Sequence, residues 1–437
     1  MENNKNKNNN DINKNSNNKH GGKVLASGGF GCVFTPALKC IGKPERDKNK
    51  ISKLMTNKYA KEEYDELKFL NTKLKVIPNY TNYFLIDDFS LCKPDKLTKD
   101  DLKNFKICGA FKGENITVKN INDSLDKLLA INMQYGGISI EEFIIQNKNY
   151  DKLKYFNHRM LELLNNGILN MNKKHIYHSD IKASNILVLN ENKLDINKMK
   201  VRLIDWSLTV EYIPFKNNTF PKNWRNRPLQ FNVPFSIVLF TDLFHKMYLQ
   251  FYNQNKENYT KTGKYINSKR TILYEFIKEY LYLWMKERGL GHYKYINKIM
   301  YMLFKYEILE TNEYVDENHL QDNNKMLNFI EVHYTLPCII NYLVEIVIHF
   351  IKIRKDGSLN VRDYLDTIFI NIIDIWGFII SYLPIYELLF LNYNNLTPDQ
   401  KELFLNLKNI FLKYLYYPHI HPIKIENLEN NIETLIK

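Results

Sequence analysis

The chain is poor in the features that mark several common protein classes. Its five cysteines, Cys32, Cys40, Cys92, Cys108 and Cys338, are odd in number, widely spread and contain no CxxC. That pattern leads to the expectation of reduced thiols in an intracellular compartment, and speaks against a zinc site or a disulfide framework. No apolar core exists in "MENNKNKNNNDINKNSNNKH", so residues 1–21 read as a disordered Asn/Lys-rich tail and not as a signal peptide. Long uncharged apolar runs are missing too. The richest window, "IWGFIISYLPIYELLFL" from Ile375, follows Asp374 and is interrupted by Pro384 and Glu387. An uncharged run of about a dozen residues is short for a bilayer, so a buried helix of a soluble protein with no membrane partner is expected. Acidic residues are in deficit, 48 against 61 basic ones, for a formal charge of +13. Such a balance suits nucleic acid. However, Lys, Asn, Ile, Tyr and Phe are abundant together, as an AT-rich coding bias produces, and the lysines are scattered; nucleic acid is not expected as the main partner. His419 and His421 have no third ligand nearby and read as a surface loop.

What the chain does have is core. Hydrophobic residues make up 44% of 437 positions, enough for a globular protein of two or three packed lobes. "KVLASGGFGCVFTPAL" reads as strand, glycine turn, strand, and "KISKLM" as a further strand. "KYAKEEYDELKFLNTKL" has Tyr59, Leu67, Leu70 and Leu74 at helical intervals. "NYFLIDDFSLC" and "KLLAINMQYGG" read as strands, with Lys93 to Ser124 as a polar insertion between them. From Ile138 the texture is helical, apart from the strands "NILVLN" and "KVRLIDWS". The expected organisation is a strand-rich part over 22–137 and a larger helical part over 138–437, with an oligomeric state that nothing in the sequence decides.

Chemistry concentrates at a few places. Gly28, Gly29 and Gly31 lie between two strands, where glycines let backbone N–H groups approach a phosphate. The turn lacks G-K-[ST] and leads into a strand, so it is neither a Walker A loop nor a dinucleotide-binding turn. A glycine lid of this kind calls for a lysine on the next strand and a helical glutamate to pair with it. Lys53 fits the first, and Glu66 is the expected partner among Glu62, Glu63 and Glu66, because Leu70 continues its stripe. "HSDIKASN" carries Asp180, Lys182 and Asn185 in D-x-K-x-x-N spacing. A carboxylate can take a hydroxyl proton, a cation can offset charge on a transferring phosphoryl group, and an amide oxygen can bind a metal. "LIDWS" places Asp205 after another apolar strand, as a second hard oxygen ligand.

These motifs resemble those of the eukaryotic-type protein kinases over most of the chain beyond residue 22. The resemblance implies an α+β, bilobal protein-kinase-like fold: a small antiparallel-sheet N-lobe and a larger, mainly helical C-lobe with a helical insertion at about 236–366. It implies a serine/threonine kinase that moves the γ-phosphoryl group of ATP to a protein substrate with Mg²⁺ as cofactor. "ASGGFGCV" would cover ATP through Ala26, Ser27, Gly28, Gly29, Phe30, Gly31 and Val33. Lys53, held by Glu66, would position the α- and β-phosphates, Met133, Gln134 and Tyr135 would face adenine, and Asp180 and Lys182 would be catalytic. Asn185 and Asp205 would hold the metal, and Asp374 would hydrogen-bond the backbone of the catalytic loop. The departures are informative: Ser179 stands where an arginine is usual, Ser207 where a glycine is usual, and no A-P-E follows. With the Asn/Lys-rich composition, they are similar to divergent kinases of large DNA viruses, which would place the protein in host cytoplasm or virion. Two other readings use the same fold: a pseudokinase scaffold that binds a nucleotide or a partner, and a small-molecule or lipid kinase.

Overall fold

A computed structural model describes residues 23–147, 150–190, 198–217, 219–311 and 323–436; the expected tail, 1–21, lies outside them. The chain is α+β, with a small antiparallel sheet near the N-terminus and a mainly helical remainder. It divides into two compact units: residues through Phe69 together with Ile86–Tyr135, and Leu70–Leu85 together with Gly136 onward.

In the first unit, β1 (Lys23–Ser27), β2 (Gly31–Thr35), β3 (Lys50–Thr56), β4 (Ser90–Cys92) and β5 (Leu128–Gln134) form one sheet in the order β1-β2-β3-β5-β4. Every pairing is antiparallel. Helix α1 (Asn57–Leu74) follows β3 with no intervening loop. The stretch 93–124, expected as a polar insertion, supplies Leu97, Phe105, Phe111, Ile116 and Ile121 to the core beneath Phe34 and Leu54. The strand expected over Asn82–Cys92 is reduced to Ser90–Cys92, because Asp88 takes a left-handed conformation (φ 48°) that no continuous strand accommodates.

The cysteines correct the sequence-based expectation. Cys32 pairs with Cys108 and Cys40 with Cys92, with Cα separations of 5.7 and 5.9 Å, within the range of ordinary disulfides. The partners are 76 and 52 residues apart, and only the sheet and the packed 93–124 segment bring them together. The thiol argument for an intracellular compartment falls with this correction.

In the second unit, β6 (Ile138–Ser139) pairs with β8 (Ile186–Asn190), which pairs with β9 (Met199–Leu203); β7 (Ile176–Tyr177) pairs with β10 (Val210–Glu211). Helices α2 (Ile140–Gln146), α3 (Tyr150–Glu162) and α4 (Leu169–Lys173) precede β7. Helices α5 (Asp242–Gln254), α6 (Arg270–Arg288), α7 (Tyr293–Thr311), α8 (Asn323–Ile330) and α9 (Leu336–Phe350) fill most of the 236–366 stretch. Next comes α10 (Ile370–Ile380), buried at almost every position. Two helical runs, Asn323–Phe350 and Arg362–Leu391, are long and apolar enough by length and composition to cross a membrane. The second is 30 residues long and contains the uncharged run after Asp374; 89% of its apolar window is buried in the protein, in line with the expected buried helix. His419, expected on a surface loop, is buried, and its Nε2 donates to Tyr414 O at 2.7 Å.

Candidate active site

The first unit carries the glycine turn and the lysine. Gly31 is required by packing, since a Cβ there would lie 2.7 Å from Leu54 O. Gly28 and Gly29 are not: a Cβ would meet nothing closer than 3.8 Å at either. Space is kept there without a packing reason, which suits a turn whose backbone something must approach. Phe30 at the turn's tip is exposed and lies against Tyr59 of α1, ring centroids 4.7 Å apart. Ala26 pairs with Val33, Val33 with Lys53, and Lys53 with Ile131, so sheet register aligns the turn's base with the lysine. Ser27 Oγ accepts from Gly109 N at 3.0 Å, which ties the turn to the 93–124 segment.

Lys53 Nζ donates to both carboxylate oxygens of Glu63, at 2.8 and 2.6 Å. This corrects the assignment of Glu66, which lies one turn further along α1. The physical reason is the helix face. Ala60, Leu67, Leu70 and Leu74 form the buried stripe, and the 3–4–3–4 spacing that connects them passes through position 63. Tyr59, which the sequence placed on that stripe, is exposed. A carboxylate on an otherwise apolar stripe was the available signal. Met133 and Gln134 sit at the end of β5 opposite Ile51 and Lys50, and Tyr135, which follows, is exposed.

The second unit carries the remaining residues. Asp180 is buried, and its carboxylate is held on both sides. Lys182 Nζ donates to Oδ2 at 2.9 Å and Asn185 Nδ2 at 3.0 Å, while Asn232 Nδ2 donates to Oδ1 at 2.8 Å. Burial works against the charge of Asp180, but the Lys182 ammonium and the bonds from Lys182 and Asn232 outweigh it and hold the carboxyl below its usual range. Asn185 also donates to Asp180 O at 2.9 Å, so its amide nitrogen is committed and its oxygen is the end left for a cation. Asn185 O accepts from Ile204 N at 3.0 Å, in line with the β8–β9 register, and this sets Asp205 beside the Asn185 position. Asp205 is exposed, with a left-handed φ of 61° and a bond from Ser207 Oγ at 3.1 Å. An amide oxygen and one carboxylate match a hard divalent cation that completes its shell with water and phosphate. Among the described residues no group of three His, Cys, Asp or Glu side chains forms a protein-only metal cage.

The loop is anchored from beneath by Asp374 of α10. Its carboxylate accepts from His178 N at 2.9 Å and Ser179 N at 2.8 Å, which holds Ser179 in a left-handed conformation (φ 62°). Burial pushes the Asp374 carboxyl up to about 7, against the two N–H donors. Between the unfolded value of 3.8 and about 7 the folded chain therefore holds a proton that the unfolded chain has lost. The wild type should lose roughly 4 kcal/mol against Asp374→Asn as pH rises through that window, then stay level above it. Urea unfolding of both proteins at a series of pH values between 5 and 8 checks this; a constant difference would contradict it.

His178 packs its ring 4.7 Å from Trp206 and shares a bond between Nε2 and Ile204 O at 3.0 Å. Burial lowers its pKa, so it stands neutral. Three buried residues that the sequence reading did not single out meet this loop as well. They are Trp224, Arg227 and Asn232, and the last showed only as one polar position inside the apolar run "FNVPF".

No protein-family model matches the chain, and no curated protein matches it.

Proposed function

We propose that the chain is a serine/threonine protein kinase of the eukaryotic type, on the bilobal fold of that family. The observation that carries this reading is the Asp180 constellation: a buried, ionised carboxylate held by Lys182, Asn185 and Asn232, with Asp205 one residue beyond Ile204, whose N–H bonds the Asn185 carbonyl. A carboxylate clamped beside a lysine and two hard oxygen ligands fits in-line phosphoryl transfer, where positioning and charge do most of the catalysis. A substrate hydroxyl gives its proton to Asp180 as its oxygen bonds to the γ-phosphorus. The bond from that phosphorus to the bridging oxygen breaks, and ADP leaves with the electron pair. Lys182 offsets charge on the transferring group. Lys53, oriented by Glu63, holds the α- and β-phosphates. Asn185 and Asp205 would hold Mg²⁺, which when bound neutralises phosphate charge.

The test is incubation of the purified chain with γ-labelled ATP, Mg²⁺ and a generic protein substrate. Lys53→Met should reduce label transfer by about 10²-fold or more, the cost of misplaced reacting groups. Glu63→Gln should weaken transfer well beyond Glu66→Gln. Transfer by Lys53→Met equal to that of the wild type would remove the kinase reading.

A further inference from the structure

Every polar group of Ser179 has a buried partner. Its Oγ accepts from Trp224 Nε1 at 2.8 Å and donates to Tyr177 O at 3.3 Å, its N–H is bound to Asp374, and its carbonyl accepts from Arg227 Nη1 at 3.0 Å. Asn232 reaches the next two residues, at Asp180 Oδ1 and at Ile181 O (3.3 Å). One segment, 224–232, thus docks on three consecutive residues of the loop through buried side chains. The Trp224 ring is itself caged by Tyr177, Tyr212 and Phe369 at 5.6, 5.5 and 5.4 Å.

The outer side of that segment is gripped in turn. Asn226 O accepts from Arg288 Nε and Arg227 O from Trp284 Nε1, both at 3.2 Å; both donors lie on α6. Leu229 O accepts from His292 N at 2.8 Å, and Phe231 O from Trp376 Nε1 at 2.9 Å. Gly291 approaches Leu229 so closely that a Cβ would lie 2.2 Å from its carbonyl oxygen. At the start of α5, Asp242 pairs with Arg225 at 2.6 Å and accepts from Asn226 Nδ2 at 2.9 Å. Backbone carbonyls are taken one after another, three by side chains and one by a backbone N–H, from the 236–366 stretch and from α10, and the ordering cost is met when the chain folds.

We propose that residues 242–292 are a built-in brace that holds segment 224–232 on the catalytic loop, so that Asp180 stands in its working position without phosphorylation of the chain. Trp224 and Trp284 are then positioning residues that act through Ser179 and Arg227. The catalytic part of this inference rests on the kinase reading; the ordering part does not.

The experiment uses the full chain, treated with phosphatase until its intact mass shows no phosphate. Two quantities are read: hydrogen exchange of the amides over 176–182, and steady-state phosphoryl transfer. The expected result is a protected loop, and a transfer rate equal to that of untreated protein. Trp224→Phe keeps a ring in the cage and loses one N–H donor. It should expose 176–182 to exchange and lower kcat by about 10- to 100-fold with KM for ATP unchanged. Trp284→Phe should shift both readouts in the same direction by a smaller amount. Rapid exchange over 176–182 in the phosphate-free wild type, a rate that falls on phosphatase treatment, or two Phe variants that behave as wild type would each overturn the brace. A protected loop that both variants loosen, in a protein that transfers no phosphate, would support the brace and remove the kinase reading.

Discussion

Asp180→Asn should lower phosphoryl transfer by about 10²- to 10⁴-fold, the usual contribution of a positioned general base, while nucleotide affinity stays near the wild-type value. The substitution keeps the shape of the side chain and removes its charge and one acceptor. Lys182 and Asn185 both donate to Oδ2 and Asn232 to Oδ1, so an amide at position 180 would set its nitrogen against one of these donors. The conflict has a local remedy. Asn232 Oδ1 is buried without a hydrogen-bond partner, and turning the Asn232 amide over presents that oxygen to the new N–H₂ at the loss of one long bond to Ile181 O. The variant should therefore fold, and its defect should be chemical. In the wild type, the lowered Asp180 pKa leaves the carboxylate ionised through the neutral range, so the acid limb of the pH–rate profile should lie below the usual carboxylate range. Steady-state kinetics with a titration of fluorescent nucleotide separates the two effects. A full transfer rate in Asp180→Asn would remove Asp180 as the proton acceptor, and a matching loss of nucleotide binding would show that the variant had unfolded.

The parts of this fold written in local pattern were legible. Alternating apolar residues with a glycine turn gave β1 to β3, and the D-x-K-x-x-N spacing brought Asp180, Lys182 and Asn185 into one hydrogen-bonded cluster. What failed was whatever depended on distant partners. Glu63 and Glu66 are one turn apart on one amphipathic helix, and only the face that α1 buries separates them. The two disulfides join residues that approach only after the sheet forms and the 93–124 segment packs on it. The run Asn82–Cys92 has strand-like composition, yet it is cut by the positive φ of Asp88 and divided between the two units. Asn232 carried almost no signal, because one asparagine among apolar neighbours announces burial with a partner but does not say which. Gly377 is similar: a Cβ would stand 2.5 Å from Ile181 O, a contact 196 positions away that no local pattern encodes.

Asp205→Asn is the second large effect, and its argument starts from the backbone. Asp205 has φ 61°, a left-handed conformation that asparagine accepts as readily as aspartate and that alanine does not. The substitution therefore changes charge with little change in strain, whereas Asp205→Ala would mix the two. Asp205 is exposed, and Ser207 Oγ at 3.1 Å can donate to an amide oxygen as it does to the carboxylate, so thermal stability should hardly move. What is lost, on the kinase reading, is the one negatively charged oxygen ligand proposed for Mg²⁺. Loss of an outer-shell partner alone costs metal sites about 10- to 100-fold in affinity, and removing a charged first ligand should raise the Mg²⁺ concentration for half-maximal transfer by at least about that much. Asn185→Asp provides the opposite change, since it adds charge at the neighbouring position. However, Asn185 Nδ2 also donates to Asp180, and an aspartate there would set two carboxylates against each other; the double variant should not recover the wild-type rate. Mg²⁺ titrations of transfer for the wild type, Asp205→Asn and the double variant decide the matter. A Mg²⁺ dependence unchanged in Asp205→Asn would place the cation elsewhere and leave Asp205 without a part in phosphoryl transfer.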